Sequence, residues 1–133
     1  MLVRQVISAF TFLEFGDEHG CLTVRANGPY LIVQKRAAIM AIANAIEVRK
    51  VKAARVDMRG VTGPITFMDR YQLGELGGEF LRRTPFAVLA LEEHLDAERI
   101  GWMVARNRGA NVEVFTDPAE AKTWLQPYLA PAK

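Results

Sequence analysis

Apolar and polar residues alternate near the start of the chain, over residues 10–15, in a pattern that is typical of a β-strand. The segment 16–20, Gly-Asp-Glu-His-Gly, has the composition of a turn. A second alternation follows over residues 21–26, with Leu22 and Val24 on one face. Two strands joined by so short a turn predict an antiparallel hairpin.

The period of the pattern then changes from that of a strand to that of a helix. Between about Tyr30 and Lys50, Ile39, Ile42 and Ile46 recur at helical spacing, and charged residues occupy positions that can face water. This segment is predicted to be an amphipathic helix.

Beyond residue 50, short apolar runs alternate with helical patterns. The predicted strands lie at residues 53–58, 85–91 and 111–115, and the predicted helices at 64–83, 92–109 and 118–125. Strands that alternate with helices are expected to be parallel neighbours joined by right-handed crossovers. We therefore predict a single α/β domain over residues 1–133. It has a mixed sheet of about five strands, built from the antiparallel hairpin and a parallel βαβαβα unit, with helices packed on it. Residues 126–133 are expected to be a frayed tail.

Capping signals accompany the predicted helix ends. Pro64 suits the first turn of its helix, and Thr66 and Asp69 have the spacing of a capping box. Gly109 fits a left-handed C-terminal cap, and Asp117 stands where an N-cap is expected, directly before a proline.

Composition and charge narrow the classes of function. The formal net charge of +2 gives no broad case for binding nucleic acid or an anionic membrane. The single cysteine, Cys21, forms no internal disulfide, which favours a reducing cytoplasm. No run approaches the ~20 apolar residues of a membrane span, and the first ten residues lack the features of a signal peptide. We predict a soluble, cytoplasmic protein.

Catalytic and metal-binding motifs are missing from the sequence. It has no HExxH, CxxC, GxSxG, GxGxxG or Walker pattern. Residues 92–94, Glu-Glu-His, are a poor metal site because adjacent residues on a helix point apart. An enzyme would need Asp57, Arg59, Glu75 and His94 to converge. We predict no catalytic residues, no metal, no cofactor and no enzymatic activity.

The predicted helix 64–83 contains three glycines, Gly74, Gly77 and Gly78. Each glycine inside a helix costs about 1 kcal/mol relative to alanine, so something must compensate. Three explanations are open: close packing on the sheet or another helix, close approach of another subunit or a ligand, or a break in the helix.

The same helix also presents a polar strip. Arg70 and Gly74 lie one turn apart on one face, and Tyr71 and Glu75 lie on the adjacent face. Polar side chains beside small residues make this strip a candidate interface.

Two edges of the predicted sheet offer further binding candidates. Ligands of open α/β sheets usually lie outside the carboxyl ends of the strands, where Arg59, Thr62 and Thr66 are expected. The start of the following helix makes them the better anion-binding candidate. Asn107 and Arg108 precede their strand and are expected at the opposite edge, where the helix dipole alone explains a basic side chain.

Three segments resemble one family. Residues 54–63, ARVDMRGVTG, 69–75, DRYQLGE, and 104–125, VARNRGANVEVFTDPAEAKTWL, are similar to the bacterial SpoIIAA-like proteins of the STAS/Sec14-like class. The resemblance runs from about residue 8 to residue 125. It implies a small α/β domain with a mixed sheet and no enzymatic activity.

The resemblance also implies a regulatory role. Relatives in the wider STAS class act as interaction domains, some switched by phosphorylation of a Ser or Thr after the central strand, and some are suggested to bind nucleotides or lipids. The phospho-switched antagonists carry an Asp-Ser/Thr-Ser-Gly-like segment there, which this chain lacks. Thr62 or Thr66 could substitute physically, since a phosphate is favourable at a helix N-terminus, but nothing selects either residue.

Two functions follow as competing hypotheses. The first is a cytoplasmic regulatory module that binds another protein or itself, as a homodimer. The second is a carrier of a small ligand, a lipid or a nucleotide-like anion, in a pocket lined by Phe12, Phe67, Tyr71 and Trp102.

Overall fold

The computed structural model describes residues 3–6, 12–30, 34–96 and 98–129, and its six strands form one sheet in the order in which they occur along the chain. The strands are β1 (Val3–Val6), β2 (Phe12–Glu18), β3 (Cys21–Pro29), β4 (Ala53–Thr62), β5 (Phe86–Leu89) and β6 (Val112–Phe115). The α-helices are α1 (Lys35–Arg49), α2 (Phe67–Phe80), α3 (Ile100–Asn107) and α4 (Pro118–Leu125). Single 3-10 turns lie at Glu92–His94 and Gln126–Tyr128.

The sheet is mixed, as predicted. β1, β2 and β3 pair antiparallel, and β3 to β6 pair parallel, so that the β2–β3 hairpin joins a parallel unit. The prediction of about five strands missed β1. This edge strand has only four residues, all of them exposed, and so it lacks the burial alternation that marks a strand in a sequence.

Side chains cover the two faces of the sheet unequally. On one face, Leu22, Val24 and Phe86 pack in a core with Ile42 of α1 and Ala105 of α3. On the other face, a smaller cluster joins α4 to the sheet through Cys21, Ala53, Ala87, Ala121 and Leu125. The larger core therefore lies under α1, α2 and α3, and it is there that an internal site can form.

The glycines of α2 bring this helix against α3. A Cβ built on Gly74 would lie 2.5 Å from the carbonyl oxygen of Gly101, and one built on Gly78 would lie 2.6 Å from the Cβ of Arg108. Only a hydrogen atom fits at these two positions. The first of the three explanations, close packing on another helix, is therefore confirmed.

The capping predictions for Thr66, Asp117 and Gly109 are confirmed, whereas that for Pro64 is wrong. Thr66 caps α2 in a full capping box with Asp69, Asp117 caps α4, and Gly109 has a φ of +93° after α3. Pro64 does not begin α2, because β4 extends to Thr62 and the helix starts only after Thr66.

The predicted helix over residues 92–109 is wrong in its first half. Glu92–His94 form a 3-10 turn, and α3 starts at Ile100, whose backbone N–H donates to Asp96 Oδ2 at 3.0 Å. Arg99 precedes the helix with a φ of +48°, a left-handed conformation that interrupts a regular helix.

The predicted tail is also partly ordered. Gln126–Tyr128 continue α4 as a 3-10 turn, and the ring of Tyr128 lies 5.5 Å from that of Trp124. Residues 130–133 lie outside the described residues.

Candidate functional site

The carboxyl edge of the sheet holds Arg59, which a fork of hydrogen bonds ties to Asp57. The Arg59 side chain donates to the Asp57 carboxylate at 3.0 and 2.9 Å, and the backbone N–H of Arg59 donates to it at 3.0 Å. Burial opposes ionisation of Asp57, but the hydrogen bonds from Arg59 outweigh it and hold the pKa of this carboxyl below its usual value. The guanidinium of Arg59 is therefore already paired with a carboxylate.

Thr66 is committed to the start of α2. Its hydroxyl donates to Asp69 Oδ2 at 2.8 Å and accepts from the backbone N–H of Asp69 at 3.2 Å. The backbone N–H of Thr66 also donates to this carboxylate at 3.0 Å, which lowers the pKa of Asp69. Thr62 is exposed at the end of β4, and its carbonyl accepts from Tyr30.

Two large apolar side chains stand in water directly after this cap. Phe67 is 60% exposed and Met68 is 56% exposed, although both belong to the first turn of α2. We call the segment Thr62–Met68 the α2-start surface. Its exposed members are Thr62, Gly63, Pro64, Thr66, Phe67 and Met68.

Sequence reasoning placed Phe67 in a ligand pocket and did not single out Met68. Their position in the sequence could have identified the pair. Both residues directly follow the N-cap Thr66 and come before the buried residues of α2.

A second polar cluster joins α2 to α3. Arg108 Nη2 donates to Glu75 Oε2 at 2.9 Å, and the Arg108 guanidinium lies 5.9 Å from the centre of the Tyr71 ring. The sequence placed Arg108 with Asn107 at the far edge of the sheet and did not foresee these contacts. They form because α3 lies against the glycine face of α2. Arg108 and Glu75 are about 40% exposed, so the pair adds little stability. Asn107 is exposed at the end of α3.

Arg70 turns inward from the predicted polar strip. Its Nη2 donates to the carbonyl of His94 at 2.7 Å, and its Nε lies 3.7 Å from Asp96 Oδ1. Arg70 thereby ties α2 to the segment between β5 and α3. Gly74, the other member of its face, is buried against α3, so no second subunit is needed to cover it.

A partly open pocket of about 200 Å³, called the cavity below, lies among β4, β5, β6, α2 and α3. Trp102 lines it, as predicted, and the lining contains neither Phe67 nor Tyr71. The prediction for these two is wrong because Phe67 is 60% exposed and the Tyr71 ring lies beside the Arg108 guanidinium. The side chain of Phe12 lies outside the described residues.

The residues that an enzyme would have needed to bring together are held in separate contacts. Asp57 pairs with Arg59, Glu75 pairs with Arg108, and His94 accepts a hydrogen bond from Arg70 through its carbonyl. Burial raises the pKa of the Cys21 thiol to about 11, so this group stays protonated at neutral pH. Within the described ranges, no three His, Cys, Asp or Glu side chains are grouped closely enough to hold a metal ion.

Comparison with known proteins supports the fold. No protein-family model matches the chain, and no curated protein sequence matches it. Among solved structures, the chain is similar to an anti-sigma factor antagonist from Mycobacterium paratuberculosis, with 17% identity and a TM-score of 0.61. The match covers 93% of this chain and 99% of the other.

The SpoIIAA-like fold that the three sequence segments implied is thus confirmed. At this level of identity the likeness concerns the fold alone. Among the helices of the described residues, none is both long enough and apolar enough to cross a membrane.

Proposed function

We propose that this protein is a non-enzymatic regulatory module of the cytoplasm that works by binding another protein through its α2-start surface. The fold likeness to a protein described as an anti-sigma factor antagonist supports this class of function. The observation that carries the proposal for this chain is the exposure of Phe67 and Met68, side by side on the first turn of α2.

Large apolar side chains that remain in contact with water forgo the free energy that their burial would contribute. Burying one fully contributes about 1.5–3 kcal/mol, and Phe and Met are enriched in protein interfaces. The capping box fixes the direction of the turn that carries them, so a partner meets an ordered surface.

Among the two threonines, the structure favours Thr62 as the position for a regulatory phosphate. A phosphate on Thr66 would replace the O–H that now donates to Asp69 Oδ2 at 2.8 Å, and it would place a second negative charge beside that carboxylate, which weakens the cap. Thr62 is exposed on the same surface, and its backbone carbonyl accepts a hydrogen bond from Tyr30. Phosphorylation there would add charge to the partner surface without removing the cap.

The test is site-specific crosslinking in the cells that produce the protein. A photoreactive phenylalanine analogue is placed at Phe67 and, as a matched control, at Val48, which is 70% exposed on α1. We expect one protein adduct from position 67 that is missing from position 48, identified by mass spectrometry.

The partner so identified is then purified and its affinity measured. Phe67→Ser combined with Met68→Ser is expected to weaken binding at least tenfold, whereas Val48→Ser leaves it unchanged. Adducts that are the same at both positions, or an affinity that the double substitution does not alter, would contradict the proposal.

Self-association as a homodimer stays a prediction. Because α3 covers the glycine face within the chain, a dimer would have to use another surface. Light scattering of the purified protein measures the mass, and a monomeric mass at high micromolar concentration would rule the dimer out.

A further inference from the structure

The cavity beneath α2 and α3 is lined almost entirely by apolar groups. Its floor is formed by strand residues, and its roof by the glycine-containing helices. The wall includes Gly77, Phe86, Val88 and Trp102, and the lining also includes Arg70 and Arg99. An apolar pocket of this kind can accept an apolar guest.

The size of the cavity limits that guest. A cavity of ~150 Å³ with apolar walls holds a molecule the size of benzene, whereas pockets for drug-sized ligands begin near 300 Å³. At about 200 Å³, this cavity fits a single ring or a short alkyl chain. A nucleotide is too large and too polar for it.

The polar lining residues are gathered at one end, beside the segment between β5 and α3. Arg70, His94, Asp96 and Arg99 all lie there, and Arg99 is exposed, which places the mouth of the cavity at this end. Arg70 is already matched by Asp96 and by the carbonyl of His94. Among the described residues no carboxylate is seen paired with Arg99, so its guanidinium is available to an anion at the mouth, where the exposed Glu98 beside it in the chain limits the local positive charge.

The backbone of Arg99 decides which substitution can test this residue. Its φ of +48° and ψ of +57° put it in the left-handed region, as at His19 and Lys50. Glycine adopts this conformation without strain, so the side chain of Arg99 can be removed without disturbing the backbone.

We propose that the cavity binds a compact apolar molecule with a single carboxylate, its apolar part among Phe86, Val88 and Trp102 and its carboxylate at Arg99. This ligand site is distinct from the α2-start surface. Its failure would leave the protein-binding proposal standing, and the reverse also holds.

Trp102 provides the readout for the test. Its indole N–H donates to the carbonyl of Val112 at 3.1 Å, so the ring is anchored in the cavity wall. Trp124, the other tryptophan, packs on the opposite face of the sheet against Phe115, and Trp124→Phe leaves Trp102 as the sole reporter.

Three probes with eight carbon atoms each separate the contributions of chain and charge: octanoate, 1-octanol and octylamine. Octanoate is expected to shift the Trp102 emission and to raise the melting temperature. It should bind at least tenfold more tightly than octanol, and octylamine should bind more weakly than octanol. Equal affinity for octanoate and octanol would overturn the carboxylate assignment. No response to any of the three probes would overturn the site.

Arg99→Gly removes the guanidinium while suiting the left-handed backbone, so we expect a folded protein that binds octanoate about tenfold more weakly. Arg83→Gln, which removes one exposed charge after α2, is the control and should leave the affinity unchanged. An unaltered affinity in Arg99→Gly would contradict the role of this residue.

Gly77→Leu tests the location. A Cβ at Gly77 lies at ordinary contact distances, 3.6 Å from Phe86 and 3.9 Å from Ala105, and the rest of the leucine side chain enters the cavity. We expect loss of octanoate binding with an undiminished melting temperature. Binding that persists in this folded variant would show that the ligand lies elsewhere.

Discussion

The two halves of α2 differ in what their side chains contact: the first turn is exposed to solvent, and the second half packs against α3. Its first turn, after the cap at Thr66, holds Phe67 and Met68 out in water, whereas the glycines at 74 and 78 close the helix onto α3. The first arrangement depends on local hydrogen bonds, and the second on a neighbour more than twenty residues away in the sequence. One helix can therefore be held in place by its second half while its first turn stays available to a partner.

The largest effect is expected where the helices are closest. In Gly74→Ala, the new Cβ would lie 2.5 Å from the Gly101 carbonyl oxygen and 2.8 Å from the Val104 Cβ, so backbone must move. Overpacking of this kind costs about 1–3 kcal/mol, which exceeds the gain of about 1 kcal/mol from replacing a helical glycine. Because the new Cβ meets a backbone oxygen, we expect the upper end of that range and so a net loss of up to about 2 kcal/mol, measured by urea unfolding. A variant as stable as the parent would show that the α2–α3 contact is looser than described.

The next effect concerns the cap. Thr66→Ala removes the hydroxyl that accepts from the Asp69 N–H, and loss of an N-cap side chain costs about 1 kcal/mol. Thr66→Ser keeps the hydroxyl and serves as the control. If urea unfolding gives the same stability for the alanine and serine variants, the capping box contributes nothing measurable.

The pH dependence of stability follows from Asp69. Its pKa in the folded protein is lowered, first of all by the hydrogen bond from the Thr66 backbone N–H. The stabilisation is therefore complete above the unfolded-chain pKa of about 3.9 and is lost as the pH falls through the lower, folded value. Asp69→Asn should remove this part of the acid sensitivity. An identical pH profile in the variant would contradict it.

The features that the sequence predicted correctly are those that depend on neighbours along the chain. The order of strands and helices after the hairpin, the capping box of Thr66 and Asp69 and the left-handed Gly109 all follow from periodicity or local hydrogen bonds. The resemblance of three short segments to SpoIIAA-like proteins also led to the right fold.

The features that the sequence did not predict depend on tertiary contacts. Residues 92–99 read as the start of a long helix, but Asp96 caps a shorter one, and Arg70 binds the carbonyl of His94. The partner of Gly74 and the approach of Arg108 to Glu75 depend on how α3 lies against α2, which periodicity does not encode. The sequence therefore predicted which segments carry the candidate site residues, but it did not predict which contacts those residues make.

A smaller effect of the opposite sign sharpens the contrast within the glycine face. In Gly77→Ala, the Cβ meets Phe86 and Ala105 at 3.6 and 3.9 Å, which are ordinary contact distances. The variant should gain about 0.5–1 kcal/mol, because alanine favours the helix and the site accepts a methyl group. Calorimetry of this variant beside Gly74→Ala checks the sign. Two losses of similar size would mean that tight packing is not confined to Gly74.

The smallest effect on stability is expected at the start of α2. Phe67→Ser and Met68→Ser change side chains that are more than half exposed, so the free energy of unfolding should stay within about 0.5 kcal/mol of the parent. Val48→Ser changes an apolar side chain of α1 that is more exposed, and its free energy of unfolding serves as the reference for a substitution without structural consequence. A loss above 1 kcal/mol in either α2 variant would mean that these side chains support the fold, because a residue kept for a partner contributes little to the free chain. Unchanged stability together with weakened partner binding would show that the two halves of α2 have different roles. The second half would fix the helix in the fold, and the first turn would bind the partner.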